Sequence, residues 1–244
     1  MAIKPILFNT EMVQAILDGR KTCTRRVVKL PKNMSGRPVG KSGDIGFMYL
    51  GGIKRPPYQQ GDILYVRETW QFLYELDDNE QPVEETGKYY YAATDITLFN
   101  TYVDENGVKH DYVPWRPSIH MPKEAARIWL KVTDVRVERL QECGEGWCVD
   151  IEKEGIATPQ DPILYISDDA FHDALRMEFQ KIWDSTIKKS DLDRYGWDAN
   201  PWVWVIEFER CEKPSYSPSE GANCKEKTEK EKKEYEQKFN SKQE

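Results

Sequence analysis

The stretch from Asp18 to Arg26, DGRKTCTRR, places four cations (Arg20, Lys21, Arg25, Arg26) and two threonines (Thr22, Thr24) within nine residues. Cations beside hydroxyls are the groups that hold anions. Lys21 and Thr24 are also an amine and a hydroxyl, which can enter chemistry as well as carry charge or polarity. The charge is local. From Gly19 to Gly43 there are eight Lys and Arg (Arg20, Lys21, Arg25, Arg26, Lys29, Lys32, Arg37, Lys41) and no Asp or Glu, in a 244-residue chain of net charge -7. An acidic chain does not bind nucleic acid through bulk charge. Any phosphate contact therefore falls to this block, which makes either a local anion-facing patch or a solvated basic loop.

Other chemistry-bearing patterns are incomplete. SGRPVGKSGD nearly matches the phosphate-cradling loop GxxxxGK[ST], with Gly40, Lys41 and Ser42 in place. Ser35 stands where the first glycine belongs and no buried strand leads in, so the match reads as a coincidence. Five cysteines (Cys23, Cys143, Cys148, Cys211, Cys224) at irregular spacing predict reduced thiols. Cys143 and Cys148 lack a second pair, and His110, His120 and His172 are scattered, so no metal is expected. No cofactor is expected either. No apolar run approaches the ~20 residues of a bilayer span, and MAIKPILFNTEM lacks a signal peptide's long apolar region. The expectation is a cytoplasmic protein with no membrane partner.

The elements that must position these residues follow from periodicity. Ile3 to Phe8 reads as a strand, and Asn9 or Thr10 can cap a helix with Met12, Val13, Ile16 and Leu17 on one face, stopped at Gly19. The cationic cluster thus begins just past a helix C-terminus, where cations offset the partial negative charge of the last carbonyls. That placement accounts for Arg20 and Lys21 without chemistry. Pro31 to Gly61 reads as a long loop. In GDILYVRETW a strand alternates Ile63, Tyr65 and Arg67 against Leu64, Val66 and Glu68, and its charged end either pairs internally or lines a site.

Further on, KYYYAAT is a strand candidate and YVDENGVKHDYV a hairpin with Asn106 and Gly107 at its tip. Ile128, Leu130 and Val132 alternate, then Val135 and Val137 do so one step out of phase, which predicts a long strand with a bulge near Thr133 and Asp134. SDDAFHDALRMEFQKIWDSTI carries Phe171, Leu175, Phe179, Ile182 and Trp183 on one helical stripe, and NPWVWVIEFER is the final strand. From Pro214 onward, seven lysines and seven glutamates with few large apolar residues predict a disordered or marginally helical tail. The sum is α+β: a small, strongly bent or barrel-like sheet closed by helices over residues 1–213, and a charged tail over residues 214–244.

Five segments in order, FNTEMVQAILDGRKTCTRRV, GDILYVRETW, WRPSIHMPKEAARIWLKVTDVRVERLQ, EKEGI and NPWVWVIEFER, resemble the ASCH domain family, in particular its longer bacterial and phage-associated branch, over about residues 5–213. The resemblance implies a PUA-like fold, a small β-barrel with flanking helices, in a superfamily associated with RNA and modified nucleosides. Some members are amidohydrolases that remove an acyl group from the exocyclic nitrogen of N4-acylated cytosine nucleosides. Their catalytic set is a lysine and a threonine of the GRKTxT segment and a glutamate after the central strand. Carried over, these are Lys21, Thr24 and Glu154, with Glu152 the competitor in the same loop. Other members are described as RNA-binding or RNA-cleaving.

The chemistry this implies is self-consistent. A threonine hydroxyl needs a base, and a lysine serves only when neutral, which at its reference pKa of about 10.4 is roughly one molecule in 2,500 at pH 7. Burial and neighbouring positive charge lower a lysine, so Arg20, Arg25 and Arg26 are expected to supply the field. A direct Glu154 partner would act oppositely, so Glu154 is expected to hold the substrate amine or protonate the leaving nitrogen. A flat base wants an aromatic or guanidinium platform and polar edges. Trp70, Trp115, Arg116, Ser118, His120 and Trp202 are candidates, with Glu68 beside Trp70 and with Arg20 and Arg26 for phosphates. The leading expectation is a metal-independent amidohydrolase acting on N4-acylcytidines. The alternative is an RNA-binding PUA-like module with ribonuclease activity, and a third reading is a phage-derived interaction protein whose charged tail meets a partner.

Overall fold

The computed structural model describes residues 1–40, 44–76, 82–95, 102–103, 109–110, 115–142, 151–156 and 168–214. The chain divides into two units, Met1–Cys211 and Glu212–Glu244. Nearly all of the expected tail lies outside the described residues, as do Lys41, Ser42, Cys143, Cys148 and the Asn106–Gly107 tip. In chain order the elements are β1 (Ile3–Leu7), α1 (Thr10–Leu17), β2 (Cys23–Val27), β3 (Gly36–Val39), β4 (Gly46–Tyr49), β5 (Gly52–Lys54), β6 (Ile63–Arg67), β7 (Trp70–Leu76) and β8 (Pro82–Tyr91). There follow β9 (Tyr102–Val103), β10 (Lys109–His110), β11 (Trp129–Arg139), α2 (Asp168–Thr186), α3 (Leu192–Tyr195) and β12 (Trp202–Cys211).

The first unit is α+β, built on a five-stranded sheet of order β1, β6, β11, β12, β2. Strands β1 and β6 are parallel and the other neighbours antiparallel. The expected closed barrel is not present among the described residues: β1 and β2 remain the two edges of the sheet. The edges nevertheless approach each other, because Arg26 on β2 donates from Nη2 to the Leu7 carbonyl at the end of β1 at 2.9 Å. A side chain, in place of a backbone ladder, spans the seam.

Helix α1 forms where its cap dictates. The Asn9 side chain accepts the Met12 amide at 2.9 Å, Val13, Ala15 and Ile16 are buried, and Gly19 (φ +76°) takes the left-handed turn that ends the helix. Strand β11 carries the predicted bulge, with register against β12 slipping between Val132 and Asp134. The extra residue changes parity, so Leu130, Val132 and Val135 all point into one core. Strand β12 is buried on both faces. Trp204, Ile206 and Phe208 join that core with α1, while Val203 and Val205 meet Leu175, Phe179 and Trp183 of α2 in a second. At about 1.5–3 kcal/mol for each fully buried large apolar side chain, this double burial makes β12 the central girder of the unit.

The segment read as a long loop contains a three-stranded antiparallel sheet, β3, β4, β5. Its strands are three or four residues long and interrupted by Gly and Pro, so alternation is too short to read. Phe47 on β4 anchors it, buried edge-on against Trp202 with ring centroids 5.6 Å apart. No helix among the described residues is long and apolar enough to cross a membrane.

Candidate functional site

The turn after α1 sets the site. Having left the helix at Gly19, the chain doubles back so that the Arg20 and Lys21 amides both donate to the Ala15 carbonyl, at 2.9 and 3.0 Å. Residues 151–155 then lie across it. Lys21 forms an isolated antiparallel bridge with Glu154, and the Thr22 and Cys23 amides both donate to the Lys153 carbonyl, at 2.9 and 3.0 Å. Ile151 and Ile156 anchor this crossing in the second core. Gly155 is required there: it sits at φ +77°, and a Cβ on it would lie 2.6 Å from Lys21 Cβ and 2.7 Å from Ala15 Cβ.

This crossing buries an ionic cluster. Lys21 Nζ donates to Glu154 Oε2 at 2.8 Å and to the Glu154 carbonyl at 2.9 Å. Arg25 Nη1 donates to Glu154 Oε1 at 2.9 Å. The side chains of Lys21, Arg25 and Glu154 are 0%, 1% and 7% exposed, so neither pair is a surface contact. Burial by itself pushes the Glu154 carboxyl up, but the Lys21 and Arg25 charges and their hydrogen bonds outweigh it and hold the carboxyl below its ordinary value. Burial, reinforced by the nearby Glu154 charge, pushes the Cys23 thiol well up, so it remains a thiol. Glu152, the competitor in the same loop, is exposed.

Two cavities meet at Glu154. One, of about 140 Å³, is lined by Phe8, Asn9, Thr24, Arg25, Arg26 and Glu154 with Phe179 and Trp183 of α2. The other, of about 630 Å³, lies between α1 and α2, where Met12, Phe179 and Ile182 give it an apolar wall and Arg20 and Gln14 a polar rim. Thr24 is buried and reaches only the smaller cavity. Lys21 lines neither cavity, and its Nζ lies 5.6 Å from the Phe8 ring centroid. Arg26 stacks over the same ring at 5.6 Å, and burial pushes its guanidinium below the usual arginine value.

The structure thus brings together Lys21, Thr24, Arg25, Arg26 and Glu154, with Arg20 at the rim, where it donates to the Gly155 carbonyl at 2.8 Å and pairs with Asp18 at 2.9 Å. The electrostatics differ from the expected arrangement. Arg25 is engaged with Glu154, and Glu154 is the direct partner of Lys21, the pairing that the argument for a neutral lysine set aside. The remaining candidates lie elsewhere, and none of them lines either cavity. Glu68 is buried in a two-pronged pair with Arg127 (2.9 Å at both oxygens), where burial raises its carboxyl against the pull of that arginine.

Trp70 belongs to a third core. It exchanges backbone hydrogen bonds with Arg116, whose guanidinium lies 5.3 Å from its ring. Trp115 is half-buried, Ser118 is half-buried and His120 exposed on one 3-10 turn. Trp202 packs in the first core beneath Arg139 at 4.4 Å, four residues along β12 from Ile206, which pairs with Thr24. At about 3.3 Å per residue that is roughly 13 Å from the Thr24 level.

Three contributors were missed by sequence reasoning: Phe8, which read as the end of the first strand, Phe179, which read as helix core, and Gly155. The glycine alone left a signal, since a glycine in a loop is the residue that takes a left-handed backbone at no steric cost. Among the described residues no group of His, Cys, Asp and Glu could hold a metal ion. No family model, no curated protein and no solved structure matches this chain.

Proposed function

We propose that the protein is an amidohydrolase that removes the acyl group from N4-acylated cytidine or related cytosine nucleosides, on a PUA-like variant of the α+β fold. The observation that carries the reading is the buried Lys21–Glu154 pair at 2.8 Å beside a cavity that Thr24 and Glu154 both line. The support for the fold is the curled sheet whose edges meet at Arg26 and Leu7.

In this reaction Thr24 Oγ1 attacks the acyl carbon and gives its proton to Lys21 Nζ. Lysine can accept it because the pair shares a mobile proton: an ammonium proton passes to Glu154 Oε2, 2.8 Å away. Glu154 then protonates the leaving exocyclic nitrogen, releasing cytidine with its amino group restored. The ammonium and carboxylate are regenerated together, and an acyl ester remains on Thr24. Water enters along the same path, loses its proton to the pair and releases the carboxylate product while Thr24 regains its hydroxyl. Because Glu154 is held below its ordinary value, the resting state is the ion pair and the acid form is transient. Burial of the pair, at 0% and 7% side-chain exposure, favours that internal transfer, since it removes the solvation that stabilises separated charges.

Chromatography of N4-acetylcytidine incubated with the wild type and with Thr24→Val tests the reading. The expected result is cytidine and acetate from the wild type and a loss of at least ~10²-fold in the variant. An intact substrate with wild-type protein, or full activity in Thr24→Val, overturns it. A second reading, an RNA-binding module with ribonuclease activity, is favoured by a separate observation. Lys29, Lys32, Arg37 and Lys54 are exposed, with no ion-pair partner among the described residues. It requires RNA affinity that falls steeply with salt.

A further inference from the structure

Arg25 is the member of the opening cluster to which the lysine, threonine and glutamate chemistry gives no task. Its guanidinium holds Glu154 Oε1 at 2.9 Å while Lys21 holds Oε2 at 2.8 Å. Each carboxylate oxygen therefore has its own cation, and the group cannot rotate without breaking both contacts. The two cations are not equivalent. Lysine is a point charge on a flexible stem, whereas the planar guanidinium fixes direction as well as charge. The Arg25 guanidinium also lies 5.7 Å from the centroid of Phe179, which projects from the middle of α2 and lines both cavities with Glu154.

From this geometry we propose that Arg25 is the positioning residue of the site: it sets the rotation of the Glu154 carboxylate so that Oε2 faces Lys21, and it keys that orientation to α2 through Phe179. The consequence for rate rests on the amidohydrolase reading, but the consequence for Glu154 does not. Lys21, Cys23, Arg25 and Arg26 interact with Glu154 from the β2 segment, Glu152 and Lys153 precede it in the chain, and Glu11, Arg20, Glu178 and Lys181 line the wider cavity with it. Cys23 contributes no charge as a thiol.

The test uses the full chain as Arg25→Met and Arg25→Lys. The Glu154 carboxyl is followed by carbon-13 NMR through the acid range, assigned by its loss in Glu154→Gln. In parallel, N4-acetylcytidine hydrolysis is measured against pH. In Arg25→Met the Glu154 midpoint rises by about 1–3 pH units. The acid limb of kcat rises with it, and kcat drops on the order of 10- to 100-fold while KM changes little. Arg25→Lys keeps the buried charge and so serves where the methionine variant does not fold. It returns the midpoint toward wild type but leaves kcat low, because the planar clamp is still missing. A Glu154 midpoint unmoved in Arg25→Met, or wild-type kcat in Arg25→Lys, overturns the proposal. If the wild type hydrolyses nothing, the amidohydrolase reading fails by itself and the NMR midpoints still decide the role of Arg25.

Discussion

Replacing Glu154 by glutamine removes the carboxylate that Lys21 and Arg25 share while keeping its shape. Both cations are almost wholly out of water, at 0% and 1% side-chain exposure, so solvent cannot take over the lost partner. Removing one member of a buried ion pair costs about 3–5 kcal/mol, and the glutamine carbonyl, one neutral acceptor, returns only a small part of it. Lys21→Met is the informative contrast. It loses the two Nζ hydrogen bonds, at 2.8 and 2.9 Å, but leaves Glu154 with Arg25 and fills the same channel with an unbranched side chain. At about 1.5–3 kcal/mol for each hydrogen bond to a charged group, the gross loss is about 3–6 kcal/mol. Relief of the buried ammonium's desolvation, several kcal/mol, offsets most of it while Arg25 still pairs with Glu154, leaving a net cost of about 1–2 kcal/mol.

Glu154→Gln is therefore expected to cost more than Lys21→Met by about 2 kcal/mol. Urea unfolding followed by tryptophan fluorescence measures both. With a slope of about 2 kcal/mol per molar urea, the Glu154→Gln midpoint falls by about 2 M and that of Lys21→Met by about 1 M or less. A Lys21→Met cost equal to or above that of Glu154→Gln, or a Glu154→Gln cost below ~1 kcal/mol, would refute the claim that Glu154 is the electrostatic centre of the cluster.

The pH dependence of that same contribution has a definite sign. The folded Glu154 carboxyl lies below its unfolded value, so its stabilisation is complete above about pH 4.3 and is lost as pH falls through the lower folded value. The stability gap between wild type and Glu154→Gln should hold steady near neutral pH and shrink only in the acid range. Gly155→Ala combines a left-handed backbone, at about 1–2 kcal/mol, with a Cβ contact of 2.6 Å to Lys21. It should lower thermal stability and activity together, whereas Gly61→Ala, strained in φ but open around its Cβ, should lower stability alone. Asn9→Ala removes the α1 cap and should cost about 1 kcal/mol by denaturant titration, with β12 amide protection falling by the same amount, since a core strand exchanges through global unfolding.

Legibility in the sequence followed the range of the interactions. Helix α1 and its Gly19 stop are local, and the chain writes them plainly, with the cap narrowed to Asn9 or Thr10 and the structure choosing Asn9. The β11 bulge was readable because an inserted residue shifts the phase of an alternation that runs on both sides of it. The β3–β5 sheet was not, because strands of three or four residues carry no period and owe their place to Phe47 fitting against Trp202, a residue 155 positions away. The same holds at the site. The types of Lys21 and Thr24 were visible, and the ASCH resemblance pointed to Glu154. That Arg25 would engage Glu154, 129 residues on, and that Glu68 would be held by Arg127, 59 residues on, depends on strand crossings with no local signature. Trp70 and Trp202 pack in two cores and line neither cavity, which the sequence had no means to separate from a stacking role: a tryptophan that packs and one that stacks on a ligand are the same letter.

The seam between β1 and β2 has a consequence for how such a site can vary. In a closed barrel the bore comes in steps, because strand number and shear are whole numbers fixed by the hydrogen-bond ladder. Here the smaller cavity opens along the seam, between Phe8 and Asn9 beyond one edge and Thr24 and Arg26 on the other, and the span is held by the reach of one arginine to the Leu7 carbonyl. Its width is thus a continuous quantity, adjustable one substitution at a time at Arg26 or at Phe8 beneath it, with every strand pairing left in register.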